Sequence, residues 1–155
     1  MKIERITIRR ICNPIKRPYI TAFGSQSAFN SILVSLESEG RTGWGEAAPG
    51  GGPFFSPYTD HASYIIARDF IAPCLLGRDL KSGEELQELL KPIRGNMYAK
   101  AAFDAALWDL LARREGKPLY RMIGSRRNLC SIGYTFGVLR NYDELLAGIE
   151  HVVGT

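Results

Sequence analysis

The chain has 155 residues, 45% of them hydrophobic and 23% charged, with a net charge of +4 and a pI near 9.1. This is an ordinary soluble globular composition with enough apolar material for one core. The basic residues are dispersed, in groups such as Lys2/Arg5/Arg9/Arg10 and Arg113/Arg114/Lys117/Arg121, so no nucleic-acid partner is expected.

Cys12, Cys74 and Cys130 are far apart, odd in number and without a C-x-x-C pair. That spacing argues against a disulfide framework and a zinc site, and reads as buried, reduced thiols of a cytoplasmic protein. The N-terminus "MKIERITIRR" lacks an apolar signal region, and no run of about 20 apolar residues occurs, so no membrane partner is expected.

In chain order, "IERITIRRI" is rich in β-branched residues and reads as a strand. "NSILVSLESEG" alternates, with Ile32, Val34 and Leu36 on one face and Ser31, Ser35 and Glu37 toward the other. Glu39-Gly40 makes a turn and "TGWGEAA" returns, which completes a three-stranded antiparallel meander. Two stretches read as loops: "KRPYITAFGSQSAF" with Pro18 and Gly24, and "PGGGPFFSPY" with its glycines and prolines.

Helices follow. Ser56 with Pro57 is the expected start of "YTDHASYIIARDFIA", which should end near Pro73 and Gly77. Ser82-x-x-Glu85 is a capping box opening "GEELQELLKPI". "NMYAKAAFDAALWDLLARREG" is the strongest helix pattern. Phe103, Leu107, Leu110 and Leu111 repeat at the spacing of one buried face. Ala99, Ala102, Ala105 and Ala106 keep a neighbouring face small, and Lys100/Asp104 and Asp109/Arg113 are i, i+4 pairs. Gly116 and Pro118 end the helix. Residues 128–155 then begin something different: a strand from Cys130 to Val138, a turn, and an amphipathic helix. That is half of a βαβ unit, which needs a parallel neighbour.

"GWGEAAP", "AKAAFDAALWD" and "GKPLYRMIGSRR" resemble the N-terminal capping domain of the enolase superfamily, muconate-lactonizing subgroup. "YITAFGSQSAFNSILV" and "GPFFSPYT" are most similar to the o-succinylbenzoate synthase and N-acylamino acid racemase branch. The resemblance implies an α+β capping domain over 1–126, followed over 127–155 by the first βα unit of a modified TIM barrel that is incomplete here. It also implies Mg²⁺-assisted removal of a proton α to a carboxylate, then dehydration or racemisation, in a homo-oligomeric full-length enzyme. The family's lysine base and carboxylate metal ligands lie on later barrel strands. This chain alone is therefore expected to bind no metal, to supply no catalytic group and to be inactive. Its partners would be a small carboxylate substrate and the remaining barrel. A dipeptide epimerase, a muconate cycloisomerase or a non-enzymatic interaction module are the alternatives.

Within the chain, His61 and His151 stand alone on helices, and Asp104 and Asp109 lie roughly 140° apart around one helix, so neither pair makes a metal site. Glu46 is the tempting acid, but a hydrogen bond fixing its turn is the preferred role. What the resemblance leaves to this chain is substrate recognition by loops that close over the barrel mouth. Tyr19, Phe23 and the hinge candidate Gly24 in the first loop, and Phe54, Phe55 and Tyr58 in the second, suit a lid over an apolar substrate portion. Phe29 is expected to anchor the loop. In the last strand Thr135 would face the barrel interior near the end where such sites form.

Overall fold

Branched apolar residues at every second position favour extended backbone, and the first third of the chain obeys that period. The computed structural model describes residues 1–50, 52–54, 56–127, 129–139 and 141–154. Strands β1 (Arg5–Thr21), β2 (Gly24–Ser38) and β3 (Arg41–Ala47) form one antiparallel sheet in the order β1-β2-β3. Glu39 and Gly40 both take left-handed φ angles, 51° and 71°, and so close a two-residue hairpin of the sort that matches strand twist.

The register explains the core. Val34 of β2 lies between Ile8 of β1 and Gly45 of β3, and Leu36 lies between Ile6 and Gly43. Ile32, Val34 and Leu36 are fully buried on that face, as their alternation predicts. Ser31 and Ser35, on the other face, are buried too. Ser35 is flanked by Thr7 and Trp44, so its short side chain lies below the level of its neighbours on the central strand.

The expected long loop between the first two strands is instead a β-arm. β1 continues to Thr21, β2 starts at Gly24, and Ala22–Phe23 is the whole connection. Pro18, which suggests a loop, is accommodated with Pro14 by a register slip between Pro14 and Tyr19. Thr21 supports the turn, its hydroxyl accepting from the Phe23 amide at 3.2 Å.

Helix α1 (Asp60–Ile66) starts at Thr59, not Ser56. The Thr59 hydroxyl accepts from the Ala62 amide at 3.1 Å, whereas Ser56 lies in irregular chain. α1 runs through a π-helical turn (Ala67–Ile71) into α2 (Ala72–Leu75). Pro73 therefore sits inside this helix rather than past its end. The wide turn, with the Ala72 amide reaching back to the Ala67 carbonyl, places the ring where no α-helical donor is missed. α3 (Gly83–Leu90) opens at the Ser82 cap, and Glu85 reaches back to the Lys81 amide at 2.8 Å.

Helix α4 (Met97–Glu115) buries Phe103, Leu107 and Leu110 completely, each worth roughly 1.5–3 kcal/mol relative to exposure. Of the alanine face, Ala99, Ala102 and Ala106 are buried but Ala105 is exposed, because it lies around the helix axis on the side away from the buried stripe. A Cβ on Gly43 would lie 2.2 Å from the Ala106 carbonyl oxygen, and one on Gly45 would lie 2.0 Å from that of Ala102. β3 and α4 thus touch backbone to backbone. Asp109 adds a polar tie, accepting from the Trp44 amide at 2.9 Å while pairing with Arg113. Lys100 does not pair with Asp104; its ammonium donates to the Ile93 carbonyl. The Asp104 carboxyl instead faces α3, with Oδ1 buried and unpartnered among the described residues.

After α4 come a short α5 (Leu119–Met122) and, beyond residues 129–139, α6 (Tyr142–Val153), capped by Asn141 on the Glu144 amide at 2.9 Å. Residues 130–138 were expected to be a strand, but none is assigned there. A strand needs a hydrogen-bonded neighbour, and no described strand pairs with this segment. Its alternation is nevertheless visible: the Tyr134 and Phe136 rings are 4.9 Å apart, and Phe136 packs against Gly148 of α6. The cysteines are not buried as expected; Cys12 and Cys130 are exposed, on the arm and on a segment that packs on no core, and Cys74 is half-buried at the edge of the core. No helix among the described residues is long and apolar enough to cross a membrane.

Two measurements check this account. Gly45→Ala should destabilise the fold by about 3 kcal/mol in urea unfolding, since neither backbone can yield, whereas Gly133→Ala, with open space around it, should be neutral. Burial, then the charge of Glu84, pushes the Asp104 carboxyl above its ordinary value, against a lowering hydrogen bond from Gln87. A carboxyl raised on folding favours the folded state most when protonated, and that gain is lost as pH rises through the folded-state value. Asp104→Asn should therefore raise the melting temperature at pH 7 and lose its advantage in acid.

Candidate functional site

The β-arm projects from the sheet with both faces open, and two cavities form against it. The first, of about 520 Å³, lies between the arm, the chain that leaves β3 at Ala48, and the first turn of α4. Tyr19, Thr21 and Gln26 come from the arm; the register places Tyr19 directly opposite Gln26, so both side chains share a face. Pro49, Gly50, Gly52 and Phe54 come from the second segment, and Tyr98 from α4. Gly50 and Gly52 have φ of 95° and 146°, angles that favour glycine and turn the chain back so that the Phe54 ring lies over Gly52. None of the described lining residues is charged, and aromatic rings dominate.

The second cavity, also about 520 Å³, lies on the other side of the arm. Ile15, Arg17 and Ile20 face Tyr134, Thr135 and Val138 across it. Gly137 permits the approach, since its Cβ position is 3.5 Å from the Ile20 carbonyl. Tyr19 and Phe29, with ring centroids 6.0 Å apart, line both cavities and form the wall between them.

The sequence-derived candidates thus fall into place unequally. Tyr19, Phe23 and Phe54 line the first cavity; Phe23 is 63% exposed and Phe54 75%, so neither ring is needed for the core. Thr135 lies on the second cavity, facing the same arm. Tyr58 lines neither, but its ring packs 5.2 Å from that of Tyr98, which does line the first. Gly24 lines neither; with φ of 127° it closes the arm's turn. Phe55 lies outside the described residues. Phe29, expected only to anchor the loop, is a wall of both cavities. Thr21, Gln26 and Tyr98 were not anticipated. Period-2 alternation from Tyr19 would have found Thr21, and the register would have found Gln26.

The acids make no centre. Glu46 was expected to hydrogen-bond its turn; among the described residues it makes no such bond, and it is exposed on β3 opposite Leu33, on the face away from α4. His61 and His151 are exposed. No group of three His, Cys, Asp or Glu side chains is placed to hold a metal among the described residues. The arrangement can enclose an apolar molecule and offer it a few hydrogen bonds.

Comparison with known proteins fits this geometry. The family model described as mandelate racemase / muconate lactonizing enzyme, N-terminal domain, matches residues 5–124. The o-succinylbenzoate synthase of Geobacillus kaustophilus is 33% identical over 154 residues, 99% of this chain and 41% of that protein. The N-succinylamino acid racemase of Thermus thermophilus is 33% identical over 150 residues, 97% of this chain and 41% of that protein. The substrate-liganded L-Ala-D/L-Glu epimerase from Bacillus subtilis superposes with a TM-score of 0.87 at 32% identity, covering 99% of this chain and 43% of that one. The chain therefore spans about two fifths of the length of the relatives it matches. With its meander, its long helix locked on β3 and this match over residues 5–124, the chain belongs to the mandelate racemase / muconate lactonizing enzyme N-terminal domain family of the enolase superfamily.

Proposed function

We propose that this chain is the substrate-recognition cap of an enzyme like its o-succinylbenzoate synthase and N-succinylamino acid racemase relatives, with residues 1–126 as the capping domain and 127–155 opening a barrel. The carrying observation is the first cavity: aromatic, uncharged among its described lining residues, and bounded by the arm, the 48–54 segment and the start of α4. The second cavity supports the same reading, because it joins the arm to Thr135 on the segment assigned to the barrel.

The reaction of such an enzyme starts with loss of a proton α to a carboxylate, followed by dehydration or by reprotonation, and Mg²⁺ would stabilise the charge that develops. The carboxylates of this chain do not fit that ion. Asp109 is committed to the Trp44 amide and Arg113, and Asp104 faces α3 beside Glu84. The cap's part is binding. Tyr19, Phe23 and Phe54 would cover the apolar portion of the substrate and exclude water from it, while Gln26 and Tyr98 offer hydrogen bonds at the rim. Binding energy gathered so far from the reacting carbon serves to hold that carbon in register.

Titration of the chain with a hydrophobic N-acylamino acid, followed by amide chemical shifts, tests the reading. Shifts should centre on Thr21, Gln26, Phe54 and Tyr98. Phe23→Ala and Phe54→Ala should each weaken binding about 5- to 30-fold, the equivalent of roughly 1–2 kcal/mol, with unchanged melting temperature. Shifts elsewhere, or none, would remove the cap assignment. The chain by itself should show neither racemisation nor dehydration, and calorimetry with Mg²⁺ should give no tight binding; turnover by the purified chain would contradict the division of labour.

A further inference from the structure

Among the described residues, the helices cover one face of the sheet, the one that carries Ile32, Val34 and Leu36. The opposite face is open, and the register lays it out as a grid. Glu37 lies between Arg5 and Thr42, Ser35 between Thr7 and Trp44, and Leu33 between Arg9 and Glu46. The central strand is recessed where Ser31 and Ser35 sit, at 1% and 2% exposure, while Trp44 stands clear at 44%.

Charge on this grid is divided by strand. Arg9 lies on β1 and Glu46 on β3, one strand to either side of Leu33. Both are exposed, and among the described residues neither has an ion pair. The other opposite charges of the face, Arg5 and Glu37, satisfy each other. Two unmatched charges of opposite sign, placed evenly about a central apolar residue, make a surface that complements itself. A second copy turned by 180° about an axis parallel to β2 sets its β3 over β1 and its β1 over β3. Arg9 then meets Glu46 of the second copy, and Glu46 meets Arg9 of the second copy. The alternative axis, running across the strands, would set Arg9 on Arg9 and Glu46 on Glu46, which repels. In the favoured arrangement the Trp44 ring lies over the row of Thr7 and Ser35 in the second copy, a large side chain above two small ones.

We propose that the outer sheet face is the contact between two copies of this chain, stacked face to face with β1 of each over β3 of the other. Three strands about 4.8 Å apart, each contributing seven residues of about 3.4 Å, give a patch of roughly 14 by 24 Å. That is at the small end of specific interfaces, so the pair is weak and forms with rising concentration. Its two ion pairs are close to solvent and are screened by salt. The contact uses no residue of either cavity lining and is therefore independent of the cap reading.

Sedimentation velocity of the chain at increasing concentration tests this, with charge exchange as the probe. The unmodified chain should pass from monomer to dimer, and high salt should reverse the change. Arg9→Glu and Glu46→Arg should each raise the dissociation constant about tenfold or more, because both attractive contacts become repulsive. Mixed in equal amounts, the two variants should pair with one another. The double variant carrying Arg9→Glu and Glu46→Arg should dimerise as the unmodified chain does. Both positions are exposed, so melting of the dilute variants should be unchanged. A chain that stays monomeric at every concentration overturns the proposal. A dimer that persists undiminished in Arg9→Glu or in high salt also overturns it, since another surface, such as the apolar side of α6, must then hold it. Failure of the two single variants to pair when mixed has the same force.

Discussion

The approach of β3 to α4 is the contact on which the rest of the structure depends. Two glycines two residues apart on one face of a strand meet two alanines four residues apart on one face of a helix. Side chains are absent on one side and minimal on the other, so the helix lies nearer the sheet than an ordinary helix–sheet packing would allow. Larger residues then fill the flanks: Phe103, Leu107 and Leu110 from the helix, and Ile32, Val34 and Leu36 from the central strand. Dispersion contacts at this density are lost steeply with small displacements, which fixes the helix in both translation and tilt.

Placement of the candidate site is inherited from that contact. β3 ends at Ala47, and the chain that follows turns at once beside the first turn of α4, where Tyr98 stands. One end of the helix thus forms a wall of the cavity while its middle is pinned to the sheet. The arm supplies the opposite wall without contributing to the core. The core and the candidate site therefore lie in different parts of one small domain. The residues that can change with ligand, Tyr19, Phe23, Gln26 and Phe54, are not those that hold the fold.

The parts of this arrangement legible in the sequence are those governed by local periodicity. The long helix, its buried stripe, the Glu39–Gly40 turn and the Ser82 cap follow from residue spacing, and the superfamily resemblance supplied the architecture. What escaped was decided by partners remote in sequence. Pro18 reads as a loop-former until a register slip admits it to a strand, and Pro73 reads as a helix stop until a π turn absorbs it. Conversely, residues 130–138 have the pattern of a strand but lack the neighbour that would make them one. The aromatic candidates were found because rings near glycines are conspicuous. Gln26 and Tyr98 were missed because a single polar residue in a strand or a first helical turn has no signature until the register is known.

The arm is a paired ribbon rather than a loose connection, and this bears on how the lining of the candidate site can drift over generations. In a flexible loop each side chain can be exchanged singly, and the backbone relaxes around the newcomer. Here Tyr19 and Gln26 are held face to face by the ladder, so enlarging one crowds the other. New ligand preferences on such a ribbon are reached by matched exchanges across the two strands, and a lone replacement passes through an intermediate that fits neither the old ligand nor the new.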